Sequence, residues 1–344
     1  MFSKRIGIDL GTANTLVYVA GEGVVLNEPT VVAVRADDNK VVAVGSEAKE
    51  MLGRTPGNIV ATRPLKDGVI ADYAITEAML SYFIEKVSGK NRFGTSFLKA
   101  KPEVMVCIPS GITQVEKRAV LDATMAAGAR NVYLIEEPLA AAIGAKIPIA
   151  QPNGHMILDA GGGTSDIAVI SLGGIVVHRS IRIAGDKLEE AVGTYIRKKF
   201  NLMVGEQTAE EIKVNMANAI VALTSTKKMD VKGRDTISGL PRQIEIHEFE
   251  VNEAIQPVLK ALMSAIRETF EMTPPELASD IIDKGIVLSG GTTLLRNLDK
   301  YITRETGVPA YIAEDPLFCV VRGTGVALEN LELYKKSINR NEYK

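Results

Sequence analysis

The sequence predicts an α/β protein built from two copies of one domain, with a ligand cleft between the copies. Two observations predict this. The first is a strand–turn–strand pattern that occurs twice. Near the start it reads Ile6-Gly7-Ile8-Asp9-Leu10, then Gly11-Thr12-Ala13-Asn14, then Thr15-Leu16-Val17-Tyr18-Val19. Past the middle it reads His155-Met156-Ile157-Leu158-Asp159, then Gly161-Gly162-Gly163-Thr164, then Asp166-Ile167-Ala168-Val169-Ile170. Each copy is an apolar run broken at an aspartate, a glycine turn and a second apolar run, the signature of a β-hairpin. Each also ends in a further turn and an apolar pair, Gly23-Val24-Val25 and Gly174-Ile175-Val176, so the chain reads as a duplication. The second observation is that short apolar strands alternate with segments of helical period along the rest of the chain, which places it in the α/β class.

The turns carry chemistry. Consecutive glycines let backbone come close to a ligand and present successive N–H groups to it, which suits phosphate oxygens. Asp159 stands where a buried strand normally has Val or Ile, and an unpaired carboxylate there is costly. A magnesium ion held together with phosphates offsets that cost. A single glycine turn also closes ordinary hairpins; two matching turns, each with its aspartate, favour a polyphosphate and a metal gripped from both sides.

Composition sets limits. A chain of 344 residues has ample length for one large or two ordinary domains. A formal net charge of −2 gives no broad basic surface and argues against nucleic acid as partner. No apolar run approaches the roughly 18 residues of a spanning helix, and Met1 to Arg5 leads straight into a strand rather than a secretory signal. The two cysteines, Cys107 and Cys319, sit in apolar runs and read as core residues of a reducing compartment. The expected location is the cytoplasm.

In chain order, residues 28–34 and 40–45 read as strands around Asp37-Asp38-Asn39, and residues 46–51 as a helix. Residues 54–72 read as a Gly/Pro-punctuated loop region; its Arg63–Gly68 part is either a solvated loop or a contact with the cleft or a neighbouring molecule. Residues 76–87 have helical spacing. The basic loop 90–101 carries Phe93, Phe97 and Leu98 among Lys90, Arg92, Lys99 and Lys101, which suits either an anionic membrane surface or aromatic rings tucked into the core. A buried strand follows over 104–109, and Thr113-Gln114-Val115-Glu116 is a capping box. The strand 132–135 delivers Glu136-Glu137-Pro138, where a carboxylate either orients a water or simply favours a helix dipole. Asp186 and Thr208 read as caps of the next two helices. Glu210 and Lys213, at i and i+3, frame a ribose or purine, or form a surface ion pair. Residues 229–251 alternate weakly and suggest a small β insert, a helix spans 255–271, and strand 286–289 enters Gly290-Gly291-Thr292-Thr293 and a helix from Leu294, an anion or nucleoside site. Thr324-Gly325 opens the last helix, and the tail from 335 reads as polar and frayed.

These motifs carry a resemblance. IGIDLGTANT (6–15), LDAGGGTSD (158–166), IEEPLAAAIG (135–144) and LSGG (288–291) are similar to the phosphate, connecting and adenosine motifs of the superfamily of actin, heat-shock chaperones and sugar kinases. Within it, NEPTVVAV, AGDKLEEA, GEQTAEEIK, SGLPR and TPPEL resemble the MreB/Mbl family of bacterial actins over about residues 4 to 330. The resemblance implies an actin-like fold of two ribonuclease-H-like domains flanking a nucleotide cleft, each with a small insert. The implied division is 1–32, 75–148 and 322–344 for subdomain IA, 33–74 for IB, 149–182 and 252–321 for IIA, and 183–251 for IIB.

It also implies roles. Thr12, Ala13 and Asn14, with Gly161, Gly162 and Gly163, bind the β- and γ-phosphates of ATP or ADP. Asp9 and Asp159 hold Mg2+ through its waters. Glu137 positions the attacking water with Thr164 assisting. Glu210, Glu211, Ile212 and Lys213 border the adenosine, and Gly290, Gly291, Thr292 and Thr293 complete that wall. The implied chemistry is phosphoryl transfer to water, coupled to polymerisation into antiparallel double filaments that govern cell shape, or motility in a cell without a wall. Implied partners are other copies of the chain, an anionic membrane at the inner face of the cell membrane, reached through Phe93, Phe97 and Leu98, and membrane morphogenesis proteins. The chain departs from the family at Thr292, where glycine is common, and at Asp166, an aspartate as in the Mbl branch, expected to lie away from catalysis. Two other readings compete: a filament with little hydrolysis, which the presence of Glu137 and Thr164 opposes, and a monomeric phosphotransferase or chaperone, whose acceptor-site insert or peptide domain is not evident.

Overall fold

The computed structural model describes residues 3–88, 101–222, 225–334 and 338–340. The two hairpins each seed a large sheet. In the first, Arg5–Leu10 pairs antiparallel with Asn14–Val19, which pairs with Gly23–Pro29; on its other side Arg5–Leu10 runs parallel to Glu103–Ile108, and that strand to Asn131–Glu136. In the second, His155–Ala160 pairs antiparallel with Ser165–Ser171, which pairs with Gly174–Ile181; on its other side it runs parallel to Ile286–Ser289, and that strand to Ala310–Ile312. Order and direction are the same in both, so the duplication read from two turns extends to whole sheets. The central strands are mostly apolar because both faces are covered; every residue of His155–Ala160 is buried, Asp159 included.

The sheets are joined by two helices, Glu137–Gly144 and Cys319–Glu329. A Cβ built on Gly144 would lie 1.8 Å from the Cys319 carbonyl oxygen, and one on Gly323 would lie 1.8 Å from that of Ala140. Glycine at both places lets the helix backbones touch. One apolar cluster then runs from Met105 and Ile135 of the first sheet, through Leu139 and Ala327 of the helices, to Ile157 and Ile170 of the second. Each such buried aliphatic side chain contributes roughly 1.5–3 kcal/mol, so the two halves share a core.

Each half also carries a small sheet. Val32–Arg35, Val41–Val44 and Ile59–Thr62 form one beside helix Ser46–Met51; Leu202–Met203, Lys228–Asp235 and Pro241–His247 form the other. The capping box at Thr113 and Glu116 forms as expected.

Several expectations change. Residues 54–72 are not all loop: Ile59–Thr62 pairs with Val32–Arg35, and Leu65–Lys66 pairs with Val69–Ile70. These strands are too short to show a period. Asp186 and Thr208 cap nothing, since their helices, Gly185–Phe200 and Glu206–Met216, begin one and two residues earlier after Ala184 and Gly205. The helix expected from 255 starts at Glu248, where Glu250 closes a box on His247. Leu294 closes a 3₁₀ turn, Gly291–Leu294, and the α-helix begins at Leu298. Thr324 lies in mid-helix with its hydroxyl donating to the Val320 carbonyl at 2.8 Å. In the tail, Ile338–Arg340 adds an antiparallel edge strand against Tyr133–Ile135. Phe93, Phe97 and Leu98 lie outside the described residues.

Candidate functional site

The tips of the two hairpins meet. A Cβ built on Gly162 would lie 2.7 Å from the Ala13 Cβ, and one on Gly163 would lie 2.5 Å from Thr12 Oγ1. Of the two readings of the Arg63–Gly68 segment the cleft contact holds, and it closes the third side: the Gly68 N–H donates to Thr12 Oγ1 at 3.0 Å, and Gly68 packs against Thr164. Together these segments bound a cavity of about 320 Å³ between the halves of the chain.

Most of the residues singled out in the sequence line it: Thr12, Ala13 and Asn14 from the first tip, Gly161, Gly162, Gly163 and Thr164 from the second, Asp9 and Asp159 at the strand ends, and Glu137 at the start of its helix. On the other wall stand Glu210, Lys213, Gly290, Gly291 and Thr292. Three do not line it. Helix Glu206–Met216 turns one face to the cavity, with Glu210, Lys213, Val214 and Ala217; on its opposite face Ile212 is fully buried in the core. Glu211 faces an outer groove beside Ser46 and Glu50. Thr293 is buried, its hydroxyl donating to the Gly290 carbonyl at 2.7 Å. Neither Glu210 nor Lys213 pairs with the other: Glu210 takes Lys49 at 2.8 Å, and Lys213 takes Glu189 at 2.5 Å.

The electrostatics of the cavity floor are those of crowded, dry carboxylates. Burial pushes Asp159 up to about 7, and it pushes Asp9 up to about 6 against a hydrogen bond from the Cys107 thiol. Glu137 is raised well above the usual range, by burial first and then by the charges of Asp166, Asp159 and Asp9. Burial and these charges together outweigh the helix N-terminus on which it sits. Among the described residues Asp159 Oδ1 is buried with no hydrogen-bond partner. Two such carboxylates facing one cavity fit a divalent cation; since among the described residues no three His, Cys, Asp or Glu side chains are placed to ligate a metal together, the ion that fits is one that keeps most of its waters. Asp166 stands off the cavity, as expected, accepting the Ser110 N–H at 2.9 Å. It still shapes the field that Glu137 feels.

Sequence reasoning missed Lys49, Asp186, Glu189 and Arg296, all of which line the cavity. Asp186 had been read as a cap, and Lys49 and Arg296 carry no local signal, because they reach the cleft from elements distant in sequence.

A chain of two like-folded α/β halves, each offering a glycine hairpin to a shared cleft with an inserted small sheet beside it, is an actin-like protein. It belongs to the MreB/Mbl family, whose model, described as MreB/Mbl protein, matches residues 3–336. The chain is 50% identical over 338 residues to the cell shape-determining protein MreB of Escherichia coli (strain K12), covering 97% of this chain and 96% of that one. It is 49% identical over 336 residues to the cell shape-determining protein Mbl of Bacillus subtilis (strain 168), covering 98% and 99%. Among solved structures, MreB 5 of Spiroplasma citri bound to AMPPNP superposes with a TM-score of 0.89 at 37% identity, covering 98% of this chain and 99% of that one. Among the described residues no helix is long and apolar enough to cross a membrane.

Proposed function

We propose that this chain is a cytoskeletal ATPase that binds ATP with Mg2+ in the cleft and assembles into filaments governing cell shape. The observation that carries the proposal is the meeting of the two hairpin tips over one cavity that Asp9, Asp159 and Glu137 line, with Asp159 and Glu137 buried and Asp9 half-buried. The related Spiroplasma citri protein bound AMPPNP, and the Escherichia coli and Bacillus subtilis relatives are named as cell shape-determining; both support the reading.

In this proposal backbone N–H groups of Thr12 to Asn14 and of Gly161 to Gly163 bind the phosphate chain, and Glu210, Lys213 and Gly290 to Thr292 border the nucleoside. Asp9 and Asp159 hold Mg2+ through water, and the ion supplies charge neutralisation to the phosphates. Glu137 accepts a hydrogen bond from the attacking water and orients it toward the phosphate. Thr164 assists from the facing turn. The four-subdomain division, the antiparallel double filament and the place at the inner face of the cell membrane belong to the same proposal. The membrane contact rests on Phe93, Phe97 and Leu98 between basic residues, with morphogenesis proteins as further partners.

Phosphate release with ATP and Mg2+ tests the chemistry. The Glu137→Ala variant should bind ATP as the wild type does and release phosphate at least about a hundredfold more slowly, the low end of what general-base groups contribute. Equal release by the two proteins overturns the role of Glu137. Sedimentation with ATP tests assembly: a chain that stays in the supernatant at every concentration is a monomeric enzyme. Electron microscopy on anionic liposomes tests the membrane contact, and filaments found only in free solution count against it.

A further inference from the structure

The two glycine tips are held in the same way by two unrelated threonines. At the first tip Thr30 Oγ1 donates to the Gly11 carbonyl at 2.7 Å. At the second, Thr292 Oγ1 donates to the Gly161 carbonyl at 2.6 Å. Gly11 and Gly161 are equivalent in the duplication, each two residues beyond its aspartate. Their partners are not. Thr30 is fully buried and follows the neighbouring strand, whereas Thr292 lines the cavity and comes from the turn Gly291–Leu294 on the nucleoside side.

The geometry of the second tip shows what this bond does. The Gly161 carbonyl accepts Thr292 Oγ1 and also the Gly185 N–H at 3.2 Å; the next carbonyl, Gly162, accepts the Asp186 N–H at 2.8 Å. Two successive carbonyls are therefore pulled to one side, toward helix Gly185–Phe200. In a trans peptide the N–H points opposite to the C=O, so the N–H groups of Gly162 and Gly163 are turned the other way. That is the geometry of an anion-binding backbone nest. Thr292 supplies the one side chain among these bonds, and Gly185 leaves it room: a Cβ there would sit 3.0 Å from Thr292 Oγ1.

We propose that Thr292 is a positioning residue for the phosphate chain, its hydroxyl fixing the Gly161–Gly162 peptide so that the nucleoside-side turn sets the phosphate-side turn. This rests on the nucleotide reading above and assigns to Thr292 a task at the phosphates in addition to its place on the nucleoside wall. A glycine at this position lacks the hydroxyl, so this chain has a fixed peptide where a glycine-bearing relative has only the backbone bonds.

Calorimetric titration of ADP and of adenosine into the wild type, Thr292→Val and Thr292→Ser tests the proposal, with melting temperatures recorded for each. Thr292→Val keeps the side-chain shape and removes the donor. It should bind ADP about threefold to tenfold more weakly, the value of one hydrogen bond, and lose less affinity for adenosine than for ADP. Thr292→Ser should match the wild type for both. The proposal is overturned if Thr292→Val binds ADP like the wild type, or if it loses ADP and adenosine by the same factor. A wild type that binds neither ligand overturns the nucleotide reading instead, and this one falls with it.

Discussion

Lys49 and Glu210 close the mouth of the cleft: the ammonium lies 2.8 Å from the carboxylate oxygens, joining helix Ser46–Met51 of one half to helix Glu206–Met216 of the other. The Gln207 side chain donates to the Lys49 carbonyl beside it, and Arg63 lies 3.8 Å from Glu206. The pair stands between the cavity and an outer groove, lining both. The pair therefore straps the cavity on the side of that groove. Lys49→Met should speed release of a fluorescent ADP about twofold to fivefold, the worth of a partly exposed ion pair, as read in a stopped-flow chase. Unchanged release would mean that the small sheets separate by some other route.

The carboxylate floor predicts a pH dependence. Asp9 and Asp159, raised to about 6 and about 7, bind protons more tightly in the folded chain than in the unfolded one. Their stabilising contribution is complete below the ordinary carboxylate range and is lost as pH rises through 6 and 7. Each unit of raised proton affinity corresponds to about 1.4 kcal/mol. Stripped of nucleotide and divalent ions, the protein should melt at lower temperature at pH 7.5 than at pH 5.5. Mg2+ with ADP should raise the melting temperature more at pH 7.5, where the carboxylates are free to hold the ion. A flat profile in the stripped protein would show that water reaches these groups.

The tips offer a steric test. Gly162→Ala places a methyl 2.7 Å from the Ala13 Cβ, and Gly163→Ala places one 3.0 Å from the backbone of Asp67 and Gly68 as well as against Thr12. Neither neighbour is the free end of a flexible side chain, so the tips have to part. Both variants should lose ADP affinity by an order of magnitude or more, roughly one or two backbone hydrogen bonds to charged oxygens. Their melting temperatures in the absence of ligand should change little, since the strain falls at the cleft and not in the core. Titration calorimetry beside thermal melts separates the two effects.

Much of this site was legible because it is local. An aspartate ending an apolar strand before a glycine turn is a pattern of adjacent residues, and its repetition 150 positions later exposed the duplication. What stayed hidden depends on distance in the chain: Lys49 and Arg296 reach the cleft through elements whose arrangement no short window encodes. Helix starts were misread where a polar residue inside the first turn, Asp186 or Thr208, mimicked a cap while glycine or alanine held the boundary. Glu211 and Ile212 show the limit of carrying a whole segment into a site, because a helix turns only one face toward it. Thr292 looked like a small departure in a glycine loop, and only the fold brings its hydroxyl to Gly161.

The crossing of the two central helices sets the last prediction. Gly144 and Gly323 sit where the backbones of Glu137–Gly144 and Cys319–Glu329 touch, and the atoms a methyl would meet at 1.8 Å are carbonyl oxygens. Backbone inside a shared core has nowhere to retreat, so Gly144→Ala must push the helices apart and with them the two sheets. Overpacking of side chains costs about 1–3 kcal/mol; against backbone the cost should lie at or above the top of that range. Gly57 provides the control, with no atom within 4 Å of an added Cβ and no positive φ. Gly144→Ala should lower the urea midpoint sharply or leave the chain insoluble, while Gly57→Ala stays within about 0.5 kcal/mol of the wild type, as surface substitutions do. Because Glu137 opens the same helix, any folded Gly144→Ala protein should also release phosphate more slowly. Wild-type stability and turnover in that variant would show that the helices do not cross at their glycines.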